Sequence, residues 1–315
     1  MSKPDVLVLF PARPKAMAQL EEAYTLHRHD LAEDKDAFLA EFGPRCVAIV
    51  TNGHTALTRD QLELLPNVKI VACSSAGFEY IDVEALKERG IPLTNSSAAL
   101  CDDVADMAVL LTLASRRQLV KAHEYVVSGE WGQKGMYPLL SSINGKKVGI
   151  VGMGQIGKAI AERFTPMKLE VGYTARSPKP LDYQYFADVV SLATWSDILV
   201  VIVPGGPETK NMINQEVLEA LGAKGTLINV ARGTVVDEDA LIACLKDGRL
   251  GAAGLDVYWN EPSPNPELVS LPNLTMYPHH ASGTEETRDA MAQTVVDNIE
   301  KCLAGEPLLN EVAIP

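Results

Sequence analysis

The chain has 315 residues, 47% hydrophobic and 22% charged, enough for two ordinary domains with a core each. Its 28 basic against 41 acidic residues leave a formal charge of −13. That excludes the basic footprint demanded by nucleic acid or an anionic membrane surface, while a small anionic substrate stays open, because one Arg at contact range overrides the global field. Cys46, Cys73, Cys101, Cys244 and Cys302 are odd in number and never at CxxC spacing, so neither a disulfide framework nor a zinc site is expected. The six His and the scattered acids show no ligand spacing, and no metal is expected. The apolar run at 6–10 is too short for a signal-peptide core, no run reaches membrane-spanning length, and residues 312–315 match no address signal. The expected location is cytoplasmic.

In chain order, short β-branched runs at 6–10, 47–51, 69–74 and 91–94 read as strands. Helical patterns at 15–24, 35–42, 58–65 and 83–89 lie between them. A long apolar helix is expected over 100–119, with Asp102 and Asp103 at its start and Arg116, Arg117 and Lys121 near its end, as the helix dipole favours. A loop is expected over 128–143. A second series of strands follows at 147–151, 170–173, 198–203, 226–230, 252–257 and 274–277, and the chain closes with a helix over 285–304. This alternation predicts an α/β protein with parallel sheets. No solenoid repeat or low-complexity tract is visible.

Gly152-Met153-Gly154-Gln155-Ile156-Gly157 lies between an apolar strand and a helical pattern, the setting that a dinucleotide fingerprint requires. Gly152 permits the tight turn, Gly154 lets backbone approach a diphosphate, and Gly157 allows close packing of helix on strand. The competing reading is a structural glycine-rich turn. An NAD site would end the next strand on an acidic residue that holds the ribose 2′-OH. Here the strand runs into Tyr173-Thr174-Ala175-Arg176-Ser177, with no carboxylate. Arg176 suits a 2′-phosphate, Lys179 adds charge, and NADP(H) is the expected cofactor; the plain alternative is that Arg176 is a solvated loop residue.

Arg232, Glu261 and His279 each follow an apolar strand, where open parallel sheets bind their ligands. A guanidinium, a carboxylate and an imidazole together suit reduction of a 2-keto acid. Arg232 holds the substrate carboxylate or carbonyl, protonated His279 donates to the carbonyl oxygen, and Glu261 orients the ring and favours imidazolium. Singly, each is more often structural; their joint placement downstream of the fingerprint argues for the set.

At these segments, GMGQIG, NVARGTVVDEDAL, GLDVYWNEP and PHHASGTEETR, the chain resembles the D-isomer-specific 2-hydroxyacid dehydrogenases along essentially its whole length. The spacings of 29 residues from Arg232 to Glu261 and 18 from Glu261 to His279 also match. Gly129-Glu130-Trp131, the run 145–152 and Thr174-Ala175-Arg176-Ser177 are most similar to the glyoxylate/hydroxypyruvate and hydroxyphenylpyruvate reductases within that family. The resemblance implies two doubly wound parallel-sheet domains, a Rossmann cofactor domain (98–284) inserted into a flavodoxin-like substrate domain (1–97 and 285–315), with hinge closure excluding water.

It further implies that the amides of Ala76 and Gly77 bind the substrate carboxylate and that Asn52 and Gly53 line the same site. Gln155, Ile156, Ser177 and Ala231 would be cofactor contacts, Asp256 would hold the nicotinamide carboxamide, and Val203 and Pro204 would flank the cofactor. Phe78, Leu100, Met136 and Tyr137 would shape the side-chain pocket. The product would be the D-isomer, and helix 100–119 would contribute to a homodimer interface, a buried core helix being the other reading of its pattern. Two departures stand out. His280 follows the catalytic position, where many relatives have a non-His residue, so His280 is the fallback for His279. The acidic residue after Tyr173 is missing, which argues against an NAD-linked relative of the phosphoglycerate dehydrogenase type. A non-catalytic dinucleotide-binding regulator is the alternative from a different class.

Overall fold

The computed structural model describes residues 3–313. Two compact units divide the chain, one running up to Leu100 and resuming at Ser282, the other spanning Cys101–Ala281. The junctions fall three residues from those expected at 97/98 and 284/285. At the first, the buried Ser96 and the turn after it belong to the first unit, since the Ser96 hydroxyl lies 3.2 Å from the Met291 carbonyl. At the second, Thr284 caps the closing helix by accepting from the Thr287 N–H.

In the first unit, β1 (Asp5–Val8), β2 (Thr25–Arg28), β3 (Cys46–Thr51), β4 (Ile70–Cys73) and β5 (Leu93–Thr94) form one parallel sheet in the order β2-β1-β3-β4-β5. This is a doubly wound order, with a switch point between β1 and β3. Strand side chains alternate between faces. Leu7, Ile49 and Val71 pack on one side with Leu39, Leu62 and Leu86 from the helices Lys35–Phe42, Arg59–Glu63 and Val83–Glu88. Val6, Val8, Ala48 and Val50 pack on the other with Leu20 of Pro14–Ala23 and Val295 and Ile299 of Glu285–Ala304. Burial on both faces is why these strands read as continuous apolar runs. The edge strand β2 has no such run and was not expected. Its His27 is buried, with Nε2 2.5 Å from Asp5 Oδ1 in a hydrogen bond and the ring stacked on Phe42.

In the second unit, seven parallel strands stand in the order β12-β11-β10-β9-β6-β7-β8. They are β6 (Lys147–Val151), β7 (Glu170–Thr174), β8 (Gln184–Phe186), β9 (Ile198–Val201), β10 (Thr226–Asn229), β11 (Ala252–Leu255) and β12 (Leu274–Met276). The chain runs outward in both directions from the β6/β9 pair, the Rossmann arrangement. The strand β8, polar at Gln184 and partly exposed, was not expected either.

The helix expected over 100–119 is shorter. Cys101–Arg116 ends where Gln118 takes a left-handed φ of 46°, and a separate helix, Leu119–Val127, follows and buries none of its residues. The expected loop over 128–143 contains a further short helix, Glu130–Lys134, entered through Gly129 at φ 78°. Cys101–Arg116 buries Val104, Ala105, Ala108 and Leu111 within its own unit. Gly254 of β11 makes room for it, since a Cβ there would lie 2.7 Å from the Ser115 hydroxyl. It is a core helix of this unit. Among the described residues no helix is long and apolar enough to cross a membrane.

Candidate active site

The glycine turn leaves β6 at the switch point. Gly152 has φ 106°, a left-handed value that favours glycine, and a Cβ on it would lie 2.5 Å from the Ile202 carbonyl. A Cβ on Gly157 would lie 2.1 Å from the Gly152 carbonyl, so the helix Gln155–Phe164 starts hard against the turn. Gly154, the N-cap of that helix, is different: a Cβ there meets nothing within 4 Å. The protein itself makes no demand for glycine at 154. The demand fits a ligand diphosphate approaching the open helix N-terminus.

Neighbouring segments are drawn to this turn. The Gly152 N–H donates to the Thr174 carbonyl at 3.0 Å, which brings the end of β7 alongside. Arg176 and Ser177 follow there, both exposed. Among the described residues the Arg176 guanidinium has no ion-pair or hydrogen-bond partner. Beyond it, the Lys179 N–H donates to the Tyr173 hydroxyl at 2.7 Å and pins the loop. Val203 packs on Gly152 from the end of β9, and Pro204 is exposed beside it.

Arg232, Glu261 and His279 come together at the ends of β10, β11 and β12. Asn229, the last residue of β10 and 1% exposed, clamps the first loop: its Oδ1 accepts from the Ala231 N–H and its Nδ2 donates to the Arg232 carbonyl, both at 3.0 Å. Gly233 lies so close to the Tyr258 carbonyl carbon, 2.0 Å from where its Cβ would be, that this loop packs directly on the turn carrying Glu261. Glu261 Oε1 accepts from the Tyr258 N–H at 2.8 Å, and Oε2 lies 2.5 Å from His279 Nδ1. Burial opposes the Glu261 charge. The His279 hydrogen bond, the Tyr258 N–H and the nearby His279 and Arg232 charges outweigh it and hold the carboxyl below its ordinary value. Glu261 is therefore a carboxylate at neutral pH, and the Nδ1 that faces it carries a proton toward it.

Asp256, just past β11 and 1% exposed, grips the His279 loop. Its backbone carbonyl accepts from the His279 N–H at 2.7 Å. Its Oδ1 accepts from the His280 N–H at 2.8 Å and its Oδ2 from the Ala281 N–H at 3.1 Å. Burial pushes its carboxyl up, and these two N–H groups pull it back. Held this way, His279 adopts φ 47°, a left-handed conformation costing a non-glycine residue about 1–3 kcal/mol. No hydrogen bond or ion pair joins the His280 side chain to Glu261; its ring lies tilted beside that of Tyr277, with centroids 6.5 Å apart. The geometry thus favours His279 over the fallback.

Asn229, Tyr258 and the clamping role of Asp256 were not foreseen. A polar residue closing an apolar strand is their only signal in the sequence, because such buried groups need partners. In the first unit, Asn52 and Gly53 follow β3, and Ala76 and Gly77 follow β4. A Cβ on Gly53 would lie 2.1 Å from the Gly77 carbonyl, and the Gly53 N–H donates to the Ser75 hydroxyl at 3.1 Å, so the two loops form one structure. Of the expected pocket residues, Leu100 is buried, Phe78 packs on the first unit's core, Met136 is exposed, and Tyr137 rests on Tyr125.

Residues 109–281 match the family described as D-isomer specific 2-hydroxyacid dehydrogenase, NAD binding domain. The chain is 40% identical to the 2-ketogluconate reductase of Gluconobacter oxydans over 99% of both chains. It is 42% identical to glyoxylate/hydroxypyruvate reductase A of Arabidopsis thaliana over 98% of both. Among solved structures, the NADPH-dependent glyoxylate/hydroxypyruvate reductase of Sinorhizobium meliloti, in complex with NADP and malonate, superposes with a TM-score of 0.88. It is 36% identical, covering 99% of this chain and 97% of that one.

Proposed function

Because the chain belongs to the D-isomer specific 2-hydroxyacid dehydrogenases, we propose that it catalyses NADPH-dependent reduction of a small 2-keto acid, glyoxylate or hydroxypyruvate, to the D-2-hydroxy acid. The observation that carries this reading is the 2.5 Å contact between His279 Nδ1 and Glu261, in the unit that also holds the glycine turn. Dinucleotide binding by itself does not require an imidazole held by an ionised carboxylate.

In this reading, Gly152, Gly154, Gln155, Ile156 and Gly157 receive the diphosphate at the helix N-terminus, and Arg176 and Ser177 receive the 2′-phosphate. Val203, Pro204, Ala231 and Asp256 flank the nicotinamide half. When bound, NADPH supplies the hydride that the substrate carbonyl carbon accepts. Arg232 holds the substrate carboxylate or carbonyl with its forked donors, and the amides of Ala76 and Gly77, with Asn52 and Gly53 beside them, take the carboxylate. Protonated His279 gives its Nε2 proton to the carbonyl oxygen as negative charge develops there. The neutral ring keeps its Nδ1 proton on Glu261, so it does not turn, and in the oxidative direction Nε2 is the base.

The rest of the reading concerns setting. Residues up to 100 and from 282 form the substrate domain, and 101–281 form the cofactor domain. A homodimer forms through the exposed apolar side chains Leu119, Val120, Val127, Trp131, Met136 and Leu139. A cytoplasmic location completes the reading, and the five free cysteines support it.

The test follows loss of reduced-nicotinamide absorbance with glyoxylate, hydroxypyruvate and hydroxyphenylpyruvate, each with NADPH and with NADH. NADPH-favoured turnover of the small acids is expected, and His279→Gln abolishes it while NADPH still binds. No turnover with any pair overturns the reading in favour of a regulator.

A further inference from the structure

The loop proposed to bind the substrate carboxylate is held from behind. Asn95, just past β5, accepts at Oδ1 from the Ser97 N–H at 3.2 Å and from the Ser97 hydroxyl at 2.9 Å. A backbone N–H can only donate, so Oδ1 must face Ser97 and Nδ2 must face the other way. There Nδ2 donates to the Ala76 carbonyl at 3.0 Å, a group that can only accept. The amide has one orientation that satisfies all three partners.

One residue earlier the same thing happens with backbone alone. The Ser96 N–H donates to the Ser75 carbonyl at 3.1 Å. Ser96 is itself buried, with its hydroxyl 3.2 Å from both the Cys73 and Met291 carbonyls. Each carbonyl shares a planar trans peptide with the next residue's N–H, and the two point in opposite directions across that plane. Holding the Ser75 and Ala76 carbonyls on the 95–96 segment therefore turns the Ala76 and Gly77 N–H groups to the opposite side, together. The Ser75 carbonyl is held by rigid backbone. The Ala76 carbonyl is held by one side chain.

We propose that Asn95 is a positioning residue for substrate binding: by fixing the Ala76 carbonyl it aims the Gly77 N–H at the substrate carboxylate. The proposal rests on the reading that the Ala76 and Gly77 amides receive that carboxylate. Asn95 touches no reacting atom, so its effect falls on KM for carboxylate substrates.

Two variants separate this role from others. Asn95→Asp is isosteric but sets an acceptor against the Ala76 carbonyl, with no proton between them. Asn95→Ala removes the donor without adding charge. Each holoenzyme is assayed with glyoxylate and with methylglyoxal, a 2-oxo aldehyde lacking the carboxylate, alongside NADPH affinity and melting temperature. For Asn95→Asp, KM for glyoxylate is expected to rise about tenfold or more, and for Asn95→Ala about three- to tenfold. The kcat at saturation, kcat/KM for methylglyoxal, NADPH affinity and melting temperature stay close to wild type. If wild type itself does not favour glyoxylate over methylglyoxal, the carboxylate reading fails and the proposal with it. If wild type favours glyoxylate but both variants keep its KM, Asn95 has no positioning role and the carboxylate reading stands. Equal losses on both substrates with a lower melting temperature reduce Asn95 to a structural residue and also overturn the proposal.

Discussion

Replacing Glu261 by Gln tests the centre of the proposed mechanism. The carboxylate faces two donors, the Tyr258 N–H at 2.8 Å and His279 Nδ1 at 2.5 Å, and uses one oxygen for each. Gln has one oxygen and one NH2 group. If its oxygen stays on Tyr258, the NH2 confronts Nδ1 and drives the proton off that nitrogen. If it turns to His279, the NH2 confronts the Tyr258 N–H. Either way a charge-assisted hydrogen bond worth about 1.5–3 kcal/mol is lost, and the imidazolium loses its counter-charge. Converted to a rate, that is a fall in kcat/KM of about 10- to 150-fold at neutral pH. Steady-state reduction of glyoxylate, wild type beside variant, measures it. A deficit under threefold would refute the dyad and leave Glu261 a structural residue.

Gly154→Ala places its Cβ in open space at an ordinary φ of −81°, so stability should hold while NADPH affinity drops about tenfold or more; calorimetric melting and cofactor titration read the two apart. Gly157→Ala drives a Cβ onto the Gly152 carbonyl and should cost stability, about 2–4 kcal/mol by denaturant titration; a neutral result would contradict the close packing. Arg176→Ala should raise KM for NADPH about 10- to 100-fold and leave KM for NADH unchanged, and an equal change in both would remove the 2′-phosphate role. The Glu261 carboxyl lies below its ordinary 4.5 when folded, so its contribution to stability is complete above that value and disappears as pH falls through the lowered one. Glu261→Gln should flatten that part of the acid-unfolding profile. Met136→Asp combined with Leu139→Asp should convert dimers to monomers by light scattering, and a monomeric wild type would end the dimer reading.

Much of this protein is determined locally, and that part is legible in the sequence. Strands buried on both faces advertise themselves as apolar runs, so β6 and the closing helix Glu285–Ala304 fall where the pattern puts them. The glycine turn is legible because two of its glycines answer steric demands within a few residues of each other and the third leaves an opening beside them. Arg232, Glu261 and His279 are visible as chemical types after strand ends. The edge strands β2 and β8 are not legible, since their pairing comes from the sheet and their own residues are mixed. Nor is the break at Gln118, where helix-compatible residues continue on both sides and only the backbone turn shows the stop. Tertiary structure alone decided what holds the chemistry in place. The clamp of Asp256 on residues 279–281, the Tyr258 N–H on Glu261 and the grip of Asn95 on Ala76 join groups that carry no periodicity. A hydrogen bond leaves no trace in sequence beyond a polar residue where an apolar one would pack, and its partner appears only once the strands that carry both have been laid side by side.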